Sequence, residues 1–266
     1  MKVCPLFSGS SGNATLVESG STRILVDCGV SCAALQRELA KVDATLDSID
    51  AILITHAHDD HVRGLNVVAK RCDAPVYASV GTWAEMTQRG KAESVARKNQ
   101  KIFYSPKPQP LELGDLQAHY FSTPHDADDS VGYVIQDDHS SFGFATDLGR
   151  VTPSVRSALV QCDVVLLDAH YDETMLANGP YPNPLKERIR SPYGHLSNVD
   201  SGKFAVKLIQ SGVEQIFLGH LSAHNNTIEL AYKTVAKKLQ DSGIDPKKDC
   251  AIYMTRRMEA SRALEF

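Results

Sequence analysis

No stretch of this chain approaches the roughly 18 consecutive apolar residues that a helical membrane span requires, so no membrane partner is expected. Cysteine is sparse and scattered, at positions 4, 28, 32, 72, 162 and 250. Only Cys28 and Cys32 are close, and their spacing across Gly29 matches neither a zinc nor a redox motif. Free thiols in a reducing, cytoplasmic setting are expected rather than a disulfide framework. Positive charge is not in excess. The net charge is −4, which argues against a protein that coats nucleic acid but leaves room for an enzyme with a local basic lip, because field focusing is local. Tryptophan occurs once, and Trp83 sits in a helix-like segment as a packing residue. Repeats, low-complexity tracts and linkers are absent. The opening residues Met1-Lys2-Val3-Cys4-Pro5-Leu6-Phe7 turn polar and glycine-rich at once, unlike a secretory signal. The 266 residues, 42% apolar and 23% charged, suffice for a substantial core. They are read as one domain spanning 1–266.

What the chain does have is concentrated in Thr55-His56-Ala57-His58-Asp59-Asp60-His61. An apolar run, residues 51–54, precedes it, and a helix-like segment, 62–71, follows. Histidine favours borderline metals such as zinc, and carboxylate also suits harder ions such as manganese. Residues two apart point to one side only in an extended chain, so His56 and His58 reach a common metal only at the end of a strand. Asp60 and His61 lie one turn further on, where a helix begins, and face a second point. One loop thus offers two half-sites.

The rest of the chain alternates strands and helices. Strands are expected at 3–7, 15–18, 23–26, 75–78, 116–123, 130–136, 141–146, 164–167, 215–218 and 251–254. Ser31 caps a helix with Leu35, Leu39 and Val42 on one face. Residues 82–100 read as a helix, 101–116 as loop and short strand with Pro106, Pro108 and Pro110, and 172–194 as irregular. Ser197 caps a helix over 198–210 and Asn226 one over 227–240. Many strands with helices between and outside them suggest two sheets packed face to face under helices, an α/β (α+β) architecture.

A metal pair needs ligands from more than one loop. His125, Asp147 and His220 each follow an apolar strand-like run, and loops at one edge of a sheet stack converge. A carboxylate such as Asp147 offers an oxygen to each of two cations. His195 precedes the Ser197 cap, where the positive end of a helix favours an anion. His119, His139, His170 and His224 read as ordinary histidines. Lys186, Arg188 and Arg190 lie shortly before His195 and are candidate substrate-binding residues, placed to hold backbone phosphates.

Taken in order, Asp27, then His56, His58, Asp60 and His61, then His125, Asp147 and His220, resemble the motifs of the metallo-β-lactamase superfamily over essentially the whole chain. The resemblance implies a four-layer αββα sandwich, two mixed β-sheets flanked by helices, with the site at one edge. Asp147 stands where β-lactamases proper usually carry cysteine. The span 148–219 is too short for a β-CASP insertion, and Gly194-His195-Leu196-Ser197 looks like the histidine loop of the tRNase Z branch. Residues 7–13, 55–64, 181–189, 194–198 and 220–226 are most similar to the YycJ (WalJ) group. Two departures bear on substrate choice. The chain reads His170-Tyr171-Asp172 where Asn-His-Asp is expected, and His224 where Glu is expected.

That resemblance implies a dinuclear, metal-dependent phosphodiesterase, a 5′-to-3′ DNA exonuclease whose nucleophile is a hydroxide shared by two divalent ions, Zn or Mn. His56, His58 and His125 would hold one ion and Asp60, His61 and His220 the other, with Asp147 bridging. Asp60 and His195 would be the catalytic residues, His195 stabilising charge or protonating the leaving oxygen. Asp27 would orient a ligand histidine from behind. Two other enzyme readings share the ligands: thioester hydrolysis of the glyoxalase II type and tRNase Z-like RNA processing. The first is disfavoured because only 46 residues follow His220. A non-catalytic scaffold is disfavoured because no ligand is missing.

Overall fold

The computed structural model describes residues 1–104 and 109–266. Pro106 and Pro108 of the expected loop lie outside them. Among the described residues, fourteen strands form two sheets of seven. The first sheet holds β1 (Lys2–Phe7), β2 (Ala14–Ser19), β3 (Thr22–Val26), β4 (Ala51–Leu53), β5 (Val76–Ser79) and β6 (Gln100–Phe103) in sequential order. The second holds β7 (Leu111–Leu113), β8 (Leu116–Ser122), β9 (Val131–Gln136), β10 (Ser141–Ala145), β11 (Val164–Asp168), β12 (Gln215–Gly219) and β13 (Ala251–Met254). A short strand that the sequence did not signal, β14 (Leu264–Glu265), returns to pair antiparallel with β1.

Each sheet is antiparallel at one end and parallel at the other, as the connections require. Helix-free turns and loops join β1–β2–β3 and β7–β8–β9–β10. The parallel pairs β3–β4, β4–β5, β10–β11 and β11–β12 are bridged by longer crossovers that place helices outside the sheets. Alternate residues of a strand serve different layers. Ile24 and Val26 face the other sheet, packing with Tyr133, Phe142 and Phe217, while Leu25 between them packs outward with Leu35 and Leu39. Helices α1 (Cys32–Ala40), α2 (Asp59–Val62), α3 (Leu65–Cys72) and α4 (Val80–Gln88) belong to the first sheet's connections. Helices α5 (Pro153–Leu159), α6 (Glu173–Asn178), α7 (Asn183–Arg190), α8 (Asn198–Gln210) and α9 (Ile228–Asp241) belong to the second's. Val155, Phe204, Leu208, Val235 and Leu239 seal the second sheet's outer face. The expected αββα layering is therefore found. At about 1.5–3 kcal/mol per buried large apolar side chain, its three apolar interfaces dominate folding.

Several local expectations are revised. The helix read over 82–100 begins at Val80 and stops at Gln88, where Gly90 takes a positive φ of 66°. Residues 172–194 contain α6 and α7. Asp172 caps α6 through the amides of Thr174 and Met175, and Pro184 lies in the first turn of α7, where a missing N–H does no harm. The cap of α9 is Thr227, which accepts from Leu230 N at 3.1 Å. Asn226 is drawn inward to Ala169 O and Asn198 instead. Trp83 is buried, its Nε1 donating to Lys101 O.

Candidate metal centre

The strands end together at one edge, and each delivers a polar side chain there. Asp27 follows β3, His56 and His58 follow β4, His125 follows β8, Asp147 follows β10 and His220 follows β12. Three of these sit in left-handed backbone: Asp27 (φ 63°), Asp147 (φ 55°) and His220 (φ 57°). Asp and His tolerate that region better than most residues, and strained positions of this kind gather at functional sites. The segment 55–58 is extended, and α2 starts after His58, which is its N-cap. His56 and His58 thus meet His125, and Asp60 and His61 meet His220, as two half-sites would, but the half-sites also adjoin, with the His56 and His61 ring centroids 4.0 Å apart.

Among the described residues, four groups of side chains have donor atoms close enough to share a cation, all within 4.8 Å of one another: His56, His58 and His125; His56, His61 and Asp147; Asp60, His61 and His220; and Asp168, His170, His195 and His220. Asp147 touches both sides of the first three. Its Oδ2 lies 3.1 Å from His61 Nε2, and its Oδ1 lies 3.7 Å from His125 Nε2 and 3.6 Å from His220 Nε2. Asp60 Oδ2 is 3.3 Å from His220 Nε2. His56 Nε2 is buried with no hydrogen-bond partner among the described residues. A buried polar nitrogen left so is costly unless something outside the chain occupies its lone pair. A nitrogen- and oxygen-rich donor set around such an atom fits divalent metal binding.

Behind the candidate ligands runs a set of orienting bonds. Asp27 Oδ2 accepts from His61 Nδ1 at 2.7 Å, and Asp27 Oδ1 from Thr55 N at 2.9 Å. Thr55 Oγ1 bonds Asp27 and lies 3.0 Å from His56 Nδ1. His125 Nδ1 donates to Gly194 O at 3.1 Å. These contacts fix which ring nitrogen faces the centre. Gly29 lets the chain after β3 press against the signature loop, since a Cβ there would stand 1.6 Å from Asp60 O.

Electrostatics follow the packing. Burial holds His56 well below the usual imidazole range, with His61 adding to the effect. Burial opposes charge on His61 too, but Asp27, Asp147 and Asp60 outweigh it and raise that ring well above its usual range. Burial likewise opposes charge on His220, yet Asp147 and Asp60 lift it to about 9. Asp60 falls to about 2, His61 and His220 overcoming its burial.

His195 lies on the second sheet's side, its Nδ1 3.2 Å from Asp168 Oδ2 and 3.7 Å from Asp147 Oδ1. Sequence reasoning missed Asp168, which closes β11. Burial raises its carboxyl to about 6. It missed two more residues. Asn13 Nδ2 comes within 3.0 Å of His61 Nε2, bringing the glycine-rich loop 8–13 to the site. His170, read as ordinary, is buried and stacks on His195 with ring centroids 3.8 Å apart and planes 12° apart. Ending a strand was the signal available for Asp168, with His170 two residues beyond it; for Asn13 it was the likeness of residues 7–13 to the YycJ (WalJ) group. The departures at 171 and 224 are structural neighbours of the site. Tyr171 packs with Leu176 and Ile189 beneath α6 and α7, and His224 meets the ring of Tyr181 edge-on.

The centre opens into a cavity of about 200 Å³ walled by Tyr181, Leu185, Arg188 and Ile189 from the α7 segment. Of the three basic candidates, Arg188 lines this cavity and pairs with Asp126, the neighbour of His125. Lys186 donates to Ala177 O on the outer side. Arg190 is buried in neither cluster and is exposed.

Residues 22–220 match the family described as "Beta-lactamase superfamily domain". The chain belongs to this metallo-β-lactamase superfamily of hydrolases. Within it, the chain is similar to "Exodeoxyribonuclease WalJ" of Streptococcus pneumoniae serotype 2 (strain D39 / NCTC 7466), at 34% identity over 250 residues, 94% of this chain and 92% of the relative. It is also similar to "Exodeoxyribonuclease YycJ" of Bacillus anthracis, at 31% identity over 239 residues, 90% of this chain and 89% of the relative. The metallo-β-lactamase fold protein YhfI from Bacillus subtilis shares the fold with a TM-score of 0.72 at 17% identity, covering 99% of each chain. No helix among the described residues is long and apolar enough to cross a membrane.

Proposed function

We propose that this chain, acting as one domain over 1–266, is a metal-dependent phosphodiesterase that degrades DNA exonucleolytically from the 5′ end. The observation that carries the reading is the convergence of two ligand triads, His56–His58–His125 and Asp60–His61–His220, on the single carboxylate of Asp147. The similarity to exodeoxyribonucleases over nine-tenths of the chain supports the substrate class.

Each triad would hold one divalent cation, zinc or manganese, with Asp147 between them. Bound there, the pair supplies Lewis acidity that activates water and neutralises the scissile phosphate. The chain's own residues do the rest. Asp27 and Thr55 keep His61 and His56 in the ring orientation that turns Nε2 to the centre. The α7 segment narrows the entrance and limits water. Burial keeps His195 neutral before substrate arrives. An anionic phosphate beside it favours the protonated ring, whose Nδ1–H is held by Asp168. His195 Nε2, the other ring nitrogen, would then give a proton to the leaving oxygen.

The test is degradation of end-labelled duplex DNA with zinc or manganese added, beside Asp60→Ala and His195→Ala. Progressive loss from the 5′ end, abolished by the first substitution and slowed by the second, is the expected result. Metal-loaded protein that left DNA intact but cut RNA, or cleaved only a thioester, would overturn the reading in favour of a tRNase Z-like or glyoxalase II-type activity.

A further inference from the structure

A second cavity begins at residues next to two of those at the centre. It is a groove of about 690 Å³ between α5 and α8 on the outer face of the second sheet. Its upper end is Gly149, two residues beyond Asp147, and Leu196, next to His195. From there it descends past Arg156 on α5 and Lys207 on α8, about 14 Å along α8 at 1.5 Å per residue.

The lining has two parts. Val151, Pro153 and Val160 offer accessible apolar surface as its floor, with Leu196 and Phe204 buried beneath them. Arg150, Arg156 and Lys207 stand exposed on the rim, and none makes an ion pair among the described residues. The groove's one carboxylate, Asp200, is already taken by Lys203 at 2.8 Å. Arg150 lies over the ring of Tyr193, 5.9 Å from its centroid, and Tyr193 is 53% exposed at the mouth. Unpaired cations above an apolar floor with an aromatic at the entrance are the complement of a single nucleic-acid strand. Its phosphates meet the cations while its unstacked bases rest on apolar and aromatic surface. A duplex turns only phosphates outward and leaves the floor unused.

We propose that this groove binds a single-stranded stretch of the substrate that runs on from the nucleotide in the metal centre. The inference rests on the nuclease reading above and extends it by giving the strand a path. Arg150, Arg156 and Lys207 grip consecutive backbone phosphates, and Tyr193 stacks on the base nearest the centre. DNA and RNA share this chemistry, so both are used as probes.

The test compares wild type with Arg156→Ala/Lys207→Ala, and with Lys233→Ala/Lys237→Ala on α9 as a control for general loss of positive charge. Binding of fluorescent 30-nucleotide single-stranded DNA, the matching RNA and a blunt duplex is measured over a salt series. Hydrolysis of bis(p-nitrophenyl) phosphate, too small to reach the groove, is measured in parallel. The groove variant is expected to bind single strands about tenfold more weakly, with a log–log salt slope shallower by about 1.4, or 0.7 for each phosphate contact removed. The duplex should lose less, the small ester should turn over at the wild-type rate, and the α9 control should bind like wild type. Unchanged single-strand affinity in the groove variant would overturn the proposal. So would equal losses in both double variants, or an equal loss with the duplex. These outcomes are read from binding alone, so they are distinct from failure of the nuclease reading, which would appear as wild type that hydrolyses neither nucleic acid nor the ester.

Discussion

The two sides of the centre are built by different means. On the first sheet's side, side chains hold side chains: one buried carboxylate, Asp27, takes Thr55 N, Thr55 Oγ1 and His61 Nδ1, and Thr55 passes the constraint to His56. On the second sheet's side, backbone takes a larger share. His125 Nδ1 donates to Gly194 O, His220 N donates to Ser8 Oγ at 2.9 Å, and Asp147 and His220 stand on left-handed residues just past their strands, as Asp27 does on the first side. That side also carries a pile of imidazoles, His170, His195 and His220, above Asp168. The contrast suggests a division of labour. In the proposed reading, the first side would supply a pre-oriented ligand cradle, and the second the shared carboxylate of Asp147 together with His195 as proton donor.

The largest effect expected is from the residue shared by both sides. Asp147→Ala should lower phosphodiesterase turnover by roughly a thousandfold or more, because charge stabilisation at the reacting phosphate is lost from both triads at once. Bound metal per protein, read by mass spectrometry, should fall with it. A variant that retained full metal and activity would remove Asp147 from the centre.

Next is a substitution confined to the second side. His195→Ala should slow DNA degradation about a hundredfold while leaving metal content intact. With a p-nitrophenyl ester, whose leaving group needs no proton, the loss should shrink to a few-fold. Equal losses on both substrates would mean that His195 acts on the phosphate and not on the leaving oxygen. On the first side the pattern should reverse. Asp27→Asn leaves the proton donor alone but weakens the grip on His61, so metal affinity should drop roughly ten- to a hundredfold and excess metal should restore turnover on both substrates. If excess metal failed to restore it, the proposed division between the two sides would collapse.

The same contrast explains what could be read from the sequence. The first side's candidates were legible because they are local. Four potential ligands fall within residues 56–61, and period-two and helical spacing pair His56 with His58 and Asp60 with His61, though not His56 with His61. His125, Asp147 and His220 were legible one by one, as polar residues capping apolar strands. The supporting pairs were not, since His195 finds Asp168 and Asn13 finds His61 only after the strands have assembled. His170 looked ordinary for the same reason: its stacking partner comes from the loop before α8. The segment 172–194 looked irregular because Pro182 and Pro184 weigh against helix in any local count. In the fold they occupy a cap and a first turn, where proline is tolerated, and Leu185 and Ile189 then give α7 a buried face.

The smallest effect expected lies away from both sides and serves as their reference. Glu38 on α1 is a buried carboxylate that accepts from Ala260 N at 2.8 Å, Arg37 Nε at 2.8 Å and Lys41 Nζ at 2.9 Å. Burial alone would raise its pKa, but these three donors bring it down from 4.5 to about 2. A folded-state pKa below the unfolded value means that the stabilisation is complete above about pH 4.5 and is lost as pH falls towards 2. Glu38→Gln should therefore cost about 2 kcal/mol of unfolding free energy at pH 7, the scale of hydrogen bonds to a charged group. The gap to wild type should close as both are titrated below pH 4, and turnover per folded molecule should not change. Urea midpoints measured across that range decide it. A constant gap would mean that Glu38 acts through packing, whereas a change in turnover would show that the clasp between α1 and the C-terminal segment reaches the centre. The route for such an effect is visible in the chain: Arg256 O, in the same segment, accepts from Ser8 N, and Ser8 Oγ holds the backbone of His220.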